Sequence, residues 1–381
     1  MPEIKQRLID LNLPPNRSAF LWGPRKVGKT YCLKQKFKDV PCLDLLQTDT
    51  FSEYASCPSL LRERFKKHQG LVIIDEIQKI PALLDEVHWL IENSAVHFIL
   101  TGSSARKLKR GHANLLGGRA WRRVMTPLSF LEIGEFNLES VMASGLLAPH
   151  FLSPNPKEDL RAYVADYLKE EIANEARVQN LPAFSDFLRI AAITSSDLLN
   201  YVNVASEAGV KAKDVREYFQ ILEDTYLGFR VPPWTKSRER RMIQTEKFYL
   251  FDVGVANHLA RRQVSQGTPE FGKSFEHYIL MELKAWQAYK NQDLDIRFWR
   301  TSTGQEVDFI LGEKDLAIEI KASSRVTHKD LKHLRALQAD GPVRHSALVC
   351  IETQARSVGE IDILPWQDFL QALWSGEFGL S

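Results

Sequence analysis

Gly23-Pro24-Arg25-Lys26-Val27-Gly28-Lys29-Thr30 follows a short apolar run, Ala19-Phe20-Leu21-Trp22, and opens a stretch that reads as helix to about Phe37. A Gly-x4-Gly-Lys-Thr string between a strand and a helix has the spacing of a phosphate-cradling loop. Gly23 and Gly28 permit the turns that aim successive backbone N–H groups inward at phosphate oxygens. Lys29 is expected to reach the β- and γ-phosphates, and the Thr30 hydroxyl to take one position on Mg²⁺. The positive end of the following helix adds to the attraction. The loop from Gly23 to Thr30 therefore reads as an ATP–Mg²⁺ site.

About forty residues on, Leu71-Val72-Ile73-Ile74 is an uninterrupted apolar run, as expected of a strand covered on both faces. Asp75 then falls at the carboxyl end of that strand, beside the loop, where it can hold the Mg²⁺ shell. Glu76 is placed to polarise an attacking water, which points to hydrolysis rather than binding alone. Standing alone, the pair would read equally well as a solvated strand end. A further apolar run, Val96 to Leu100, ends in Thr101-Gly102-Ser103. Thr101 can sense the γ-phosphate, and a helix N-cap at Ser103 or Ser104 is the other use of that segment.

These strings resemble those of the AAA-type ATPases, in the branch that carries G-P-R-x-V-G-K-T, I-D-E-I-Q, I-L-T-G-S-S, G-R and P-L-S-F. Here they are Gly23 to Thr30, Ile74 to Gln78, Ile99 to Ser104, Gly118-Arg119 and Pro127 to Phe130, so the resemblance spans roughly residues 15 to 135. It implies a sheet with an extra strand, Val40 to Leu46, between the loop strand and the Asp-Glu strand. It also implies that Arg119 acts as an arginine finger on a neighbouring subunit, and hence a homo-oligomer such as a ring. Arg122 and Arg123 stand close by, and an arginine that pairs with a local carboxylate is the structural alternative for Arg119.

A chain of 381 residues is long enough for two or three domains with separate cores. The net charge of +2 is too mild to imply a nucleic-acid partner by itself. Cys32, Cys42, Cys57 and Cys350 show neither zinc-ligand nor disulfide spacing, which fits reduced thiols in the cytoplasm. No apolar stretch reaches membrane-spanning length, and M-P-E-I-K-Q-R has no signal-peptide core, so a soluble cytoplasmic protein is expected.

Gly145, Pro149, Pro154 and Pro156 punctuate a boundary between about Gly134 and Asp159. An amphipathic helix is expected over Leu160 to Val178. Residues 184 to 250 read as a winged-helix module: helices Phe184–Ile193 and Leu198–Ala208, a tight turn at Gly209, and a third helix from Val210 to about Leu222. Lys211, Lys213 and Arg216 would lie at its exposed start, where a recognition helix meets a groove. Lys236 to Arg241 reads as a basic hairpin tip before a strand from Lys247 to Phe251. Phosphate contact by this tip and a plain solvated loop on a connector are equally good readings.

The last constellation lies in Gly304 to Ala322. Val307, Phe309 and Leu311 alternate with Glu306, Asp308 and Ile310; after the turn Gly312-Glu313-Lys314-Asp315, Leu316, Ile318 and Ile320 alternate with Ala317, Glu319 and Lys321. If the two strands pair as a hairpin, Asp308, Glu319 and Lys321 converge. Two carboxylates that hold Mg²⁺ and a lysine that orients water or steadies a charged phosphorus suit metal-assisted phosphodiester cleavage. Charges paired across an exposed hairpin are the bland alternative. The arrangement resembles the PD-(D/E)XK nucleases, with Asp308, Glu319 and Lys321 as the matching residues and Val307 in place of the proline. Family members often add a glutamate from a preceding helix, and Glu276 occupies that place.

The expectation is an α/β protein with an AAA-type P-loop parallel sheet over residues 1–135 and a helical linker over 136–183. A winged-helix module follows over 184–265, then an α/β PD-(D/E)XK nuclease-like domain over 266–381. Its expected action is ATP hydrolysis by Lys29, Thr30, Asp75 and Glu76, with cleavage of nucleic acid, DNA in the first instance, by Glu276, Asp308, Glu319 and Lys321. Mg²⁺ is the expected ion, with Mn²⁺ an alternative at the second site. The rival reading is a nucleotide-controlled oligomeric switch that binds DNA or protein through an inactive nuclease-like fold.

Overall fold

The computed structural model describes residues 6–104, 108, 116–165, 180–236 and 242–380. They fall into two compact units. An N-terminal unit comprises Gln6–Leu128 with Gln220–Leu227; the C-terminal unit comprises Ser129–Phe219 and Gly228 onward.

The N-terminal unit is built on a five-stranded sheet of β1 (Ser18–Trp22), β2 (Cys42–Asp44), β3 (Gly70–Asp75), β4 (Val96–Gly102) and β5 (Ala120–Val124). All pairs are parallel and the order is β2-β3-β4-β1-β5. The three central strands are the apolar runs singled out above, and Ala19, Leu21, Val72, Ile74, Ile99 and Leu100 are fully buried. The segment Val40–Leu46 does not take the inner position expected of it. The strand between the loop strand β1 and the Asp-Glu strand β3 is β4, whereas Val40–Leu46 supplies only β2, on the outer side of β3. Burial explains the choice: β4 is buried at every position but His97, while β2 is three residues long and exposes Cys42.

Helix Lys29–Lys36 follows the loop, and Gly28 precedes it in a left-handed conformation at φ 95°. Gly23 has φ 147°, and a Cβ there would stand 2.3 Å from the Met125 carbonyl oxygen. Only glycine fits so close to the backbone leaving β5.

In the C-terminal unit, helices Leu181–Ile193, Tyr201–Ala208 and the first part of Ala212–Asp224 precede an antiparallel pair, β6 (Gly228–Val231) and β7 (Lys247–Leu250). Gly209 ends the second helix at φ 66°. Phe219 packs edge-on against Phe187 and Phe248, at centroid distances of 4.9 and 4.6 Å. Lys211, Lys213 and Arg216 are exposed, with the Arg216 guanidinium 5.1 Å from the Tyr201 ring centroid. Of the basic tip, Lys236 lies 2.7 Å from Glu313, and residues 237–241 are outside the described residues. The helix expected from Leu160 begins earlier, at Pro156, and is described to Ala162; residues 166–179 are also outside the described residues.

Helix Pro269–Tyr289, capped by the Thr268 hydroxyl, leads into a six-stranded mixed sheet. Its strands are β8 (Ile296–Arg300), β9 (Glu306–Leu311), β10 (Leu316–Lys321), β11 (His345–Cys350), β12 (Arg356–Val358) and β13 (Ile361–Pro365), in the order β12-β13-β11-β10-β9-β8. β8, β9 and β10 are antiparallel in turn, and β11 joins β10 in parallel after helix Lys332–Ala339. The β9–β10 register pairs Leu311 with Leu316, Ile310 with Ala317 and Phe309 with Ile318. By alternation, Asp308 and Glu319 share a face at the end of this ladder. No helix among the described residues is long and apolar enough to cross a membrane.

Candidate nucleotide and metal sites

The polar residues of the N-terminal unit gather at the carboxyl ends of β1, β3 and β4. The Thr30 hydroxyl donates to Asp75 Oδ2 at 2.6 Å, and the Thr101 hydroxyl donates to Asp75 Oδ1. Thr101 Oγ1 in turn accepts from the Glu76 backbone N–H at 2.9 Å. One carboxylate is thus oriented by two hydroxyls from two other elements. A carboxylate and a hydroxyl from Asp75 and Thr30 are the hard oxygen donors that suit Mg²⁺. A cavity of about 260 Å³ opens beside this pair, between the loop helix and β2.

Lys29 is buried, and its ammonium donates to the Gly23 and Pro24 carbonyls at 2.7 and 2.9 Å. Burial pulls its pKa down to about 8, against the attraction of Glu76 and Asp75. A triphosphate needs the charged form, so binding above pH 8 must take up a proton. ATP affinity is expected to be flat below about pH 7.5 and to fall as pH rises beyond 8. Titrations in buffers of different ionisation enthalpy check this: proton uptake should be absent at pH 6.5 and present at pH 9.

Glu76 sits in the left-handed region, at φ 61° and ψ 47°. A non-glycine residue there carries about 1 kcal/mol of strain or more. Its carboxylate accepts from the Gln78 amide and, at 3.5 Å, the Ser103 hydroxyl; Gln78 also donates to Ser103 at 3.2 Å. Gln78 and Ser103 lie inside the strings already quoted, but nothing in their spacing marks them as holders of Glu76. Arg7, which donates to the Val27 and Thr126 carbonyls and so ties the loop to the chain after β5, has no sequence signal at all. Arg119 pairs with Glu92, and Arg122 donates to the Tyr226 hydroxyl at 2.9 Å.

The second cluster lies at one end of the β9–β10 hairpin. Asp308 Oδ2 accepts from the Ile320 N–H at 2.7 Å. Lys321 Nζ stands 2.6 Å from Glu319 Oε1, and His333 Nδ1 is 3.5 Å from the same oxygen. Glu319 is 1% exposed and its other oxygen, Oε2, is buried without a hydrogen-bond partner. Burial, then the charges of Glu319 and Glu276, push the Asp308 carboxyl well above the ordinary range, against Lys247 and Lys321. Burial opposes the Lys321 charge, but Glu319 and Asp308 outweigh it and raise its pKa.

Glu276 joins the cluster through partners the sequence did not indicate. Its Oε1 accepts from the Tyr249 hydroxyl and lies 3.3 Å from Lys247 Nζ. Lys247, 3% exposed, also reaches Glu306 Oε1 at 2.6 Å, and Arg300 takes the other Glu306 oxygen at 2.7 Å. Burial opposes the Lys247 charge too, yet Glu276, Glu306 and Asp308 together raise its pKa. Lys247 and Tyr249 come from β7, outside the segment whose pattern suggested the site. Among the described residues, no three or more His, Cys, Asp or Glu side chains are gathered for a metal ion. Asp308 and Glu319 are a carboxylate pair, and the partnerless Glu319 oxygen fits a hard cation.

Three family models match successive parts of the chain. Residues 15–134 match one described as an AAA domain; residues 137–266 and 271–369 match domains of unknown function, DUF8612 and DUF4143. An uncharacterized protein of Mycobacterium tuberculosis is 24% identical over 318 residues, covering 80% of this chain and 70% of its own. One of Methanocaldococcus jannaschii is 22% identical over 367 residues, covering 86% and 80%. Among solved structures, the Aeropyrum pernix ORC1 protein in complex with DNA is 12% identical, covering 66% of this chain and 87% of that one, with a TM-score of 0.25. The ADP form of the Aeropyrum pernix ORC2 protein is also 12% identical, covering 74% and 98%, with a TM-score of 0.30. The phosphate-loop geometry, the parallel sheet and the match over residues 15–134 support an AAA-type ATPase in the N-terminal part of this chain.

Proposed function

We propose that this chain is an ATP-hydrolysing enzyme whose C-terminal fold cleaves phosphodiester bonds of nucleic acid, DNA in the first instance, with a divalent cation. In the N-terminal unit Lys29 and the loop N–H groups would hold the β- and γ-phosphates. Thr30 and Asp75 would hold Mg²⁺, which shields phosphate charge when bound. Glu76 would take a proton from the attacking water, and Thr101 would orient Asp75 and report on the γ-phosphate. Arg119 would act across an oligomer interface after leaving Glu92.

In the C-terminal unit Asp308 and Glu319 would hold Mg²⁺ or Mn²⁺, and Lys321 would orient the water or steady the phosphorane charge. The observation that carries this half is a buried Glu319 oxygen with no protein partner, on a carboxylate that pairs through its other oxygen with Lys321 and lies within electrostatic reach of Asp308. The order helix, three antiparallel strands, helix, parallel strand supports it as well. An ion-paired exposed hairpin would leave no such oxygen.

The switch reading is favoured by one feature: Lys321 and Glu319 already satisfy each other in part. Incubation of the full chain with labelled single- and double-stranded DNA and Mn²⁺, with and without ATP, separates the two. Cleavage lost on adding a chelator is expected. ATP turnover with no cleavage of DNA or RNA in Mg²⁺ or Mn²⁺ would leave only the switch.

A further inference from the structure

Lys247 lies where the metal reading would otherwise invite a second ion. Glu276 and Glu306 come from the long helix and from β9. Glu276 and Glu319 act electrostatically on Asp308, and Glu306 joins them through Lys247, although among the described residues no three of these side chains are gathered closely enough to hold one ion. Acidic clusters of this kind commonly hold two divalent ions about 4 Å apart. Here, however, a buried ammonium bridges two of the four, 3.3 Å from Glu276 and 2.6 Å from Glu306. Both Glu306 oxygens are engaged, one by Lys247 and one by Arg300. Glu276 Oε1 is shared between Lys247 and the Tyr249 hydroxyl. The buried oxygen left without a partner belongs to Glu319, which neither Lys247 nor Arg300 engages.

We propose that the Lys247 ammonium stands in for a second metal ion, so that this fold takes one divalent cation, on Asp308 and Glu319, beside a fixed cation held by Glu276 and Glu306. The inference rests on the metal site proposed above and specifies its stoichiometry. Charge balance argues the same way. With all four carboxylates ionised, as they are once the cation has displaced the Asp308 proton, Lys247, Arg300 and Lys321 leave one negative charge in excess. One divalent ion overturns that excess by a single charge. Two would leave three positive charges uncompensated in a partly buried site, against the cost of burying unpaired charge. Lys247 is thus a positioning residue that keeps Glu276 and Glu306 away from metal, while Asp308 and Glu319 remain the ligands.

Counting Mn²⁺ on the full, nucleotide-free chain tests this without any activity. Stripped protein is titrated with Mn²⁺, and bound ion is read from loss of the free-ion paramagnetic resonance signal, in parallel with Glu319→Gln. Any ion at the nucleotide site cancels in the difference. Wild type is expected to bind one Mn²⁺ more than the variant, without the spin coupling of a close metal pair. A difference of two, or a coupled spectrum, would overturn the one-ion site and leave the metal reading standing. No difference would overturn both. Lys247→Met is expected to gain one further Mn²⁺, with its melting temperature raised more by Mn²⁺ than that of wild type. A folded Lys247→Met protein that still binds the wild-type number would also defeat the proposal.

Discussion

Glu76→Gln is expected to bind ATP within a few-fold of the wild-type affinity and to hydrolyse it about 10²–10⁴ times more slowly, the usual contribution of a positioned base. The substitution keeps the shape of the side chain, and its amide oxygen can still accept from Gln78, whose amide now donates to the Glu76 carboxylate. The left-handed backbone at this position is unchanged in kind, because glutamine and glutamate share the same Cβ constraint. The proposed phosphate contacts lie elsewhere, on Lys29 and the loop, so the triphosphate should remain bound and uncleaved. Single-turnover hydrolysis and nucleotide retention after gel filtration provide the check. Turnover within about three-fold of wild type, with ATP bound normally, would remove Glu76 from the chemistry.

The same region shows how far the chain could be read before its structure. The loop conformation at Gly23 and Gly28 and the meeting of Thr30 with Asp75 were legible because the spacing between a strand and a helix leaves few other arrangements. Gly23 is the clearest case, since any side chain would run into the Met125 carbonyl. The inserted strand was misassigned because Val40–Leu46 and Val96–Leu100 are both apolar enough to be strands, and order within a parallel sheet is decided by packing on both faces. Gln78 and Ser103 were missed for a related reason. A side chain that holds another leaves no periodic trace. At the second site the β9–β10 pattern was enough to place Asp308 and Glu319 together, because a period of two and a four-residue turn leave little freedom of register. Lys247 and Tyr249 were not legible there. They reach Glu276 from β7, and only the tertiary fold brings that strand beside the long helix.

Glu319→Gln and Lys321→Met are each expected to lower metal-dependent cleavage at least about 10²-fold and to leave ATP turnover at its wild-type value. The size follows from removing one oriented charge from a site of phosphorus chemistry, worth 10²–10³ in comparable cases. Both changes conserve volume, which matters because Glu319 is buried and pairs with Lys321. Lys321→Met strands the buried Glu319 charge and is expected to melt below wild type, so cleavage is compared at a temperature where both variants remain folded. The pH profile gives a second, independent readout. Burial with Glu319 and Glu276 nearby raises the Asp308 pKa, so at the acid end the carboxyl holds a proton that the cation must displace. Metal affinity and cleavage should accordingly climb with pH above the ordinary carboxylate range, with a proton released for each ion bound. For stability the sign is opposite: a raised folded-state pKa gives a contribution that is full below the unfolded pKa and is lost as pH rises through the folded one. The fold without metal should thus weaken with rising pH in the same window in which added Mn²⁺ stabilises it most. Melting curves from pH 4.5 to 8, with Mn²⁺ and with chelator, would show the two sets diverging; parallel curves would mean that Asp308 does not meet the ion.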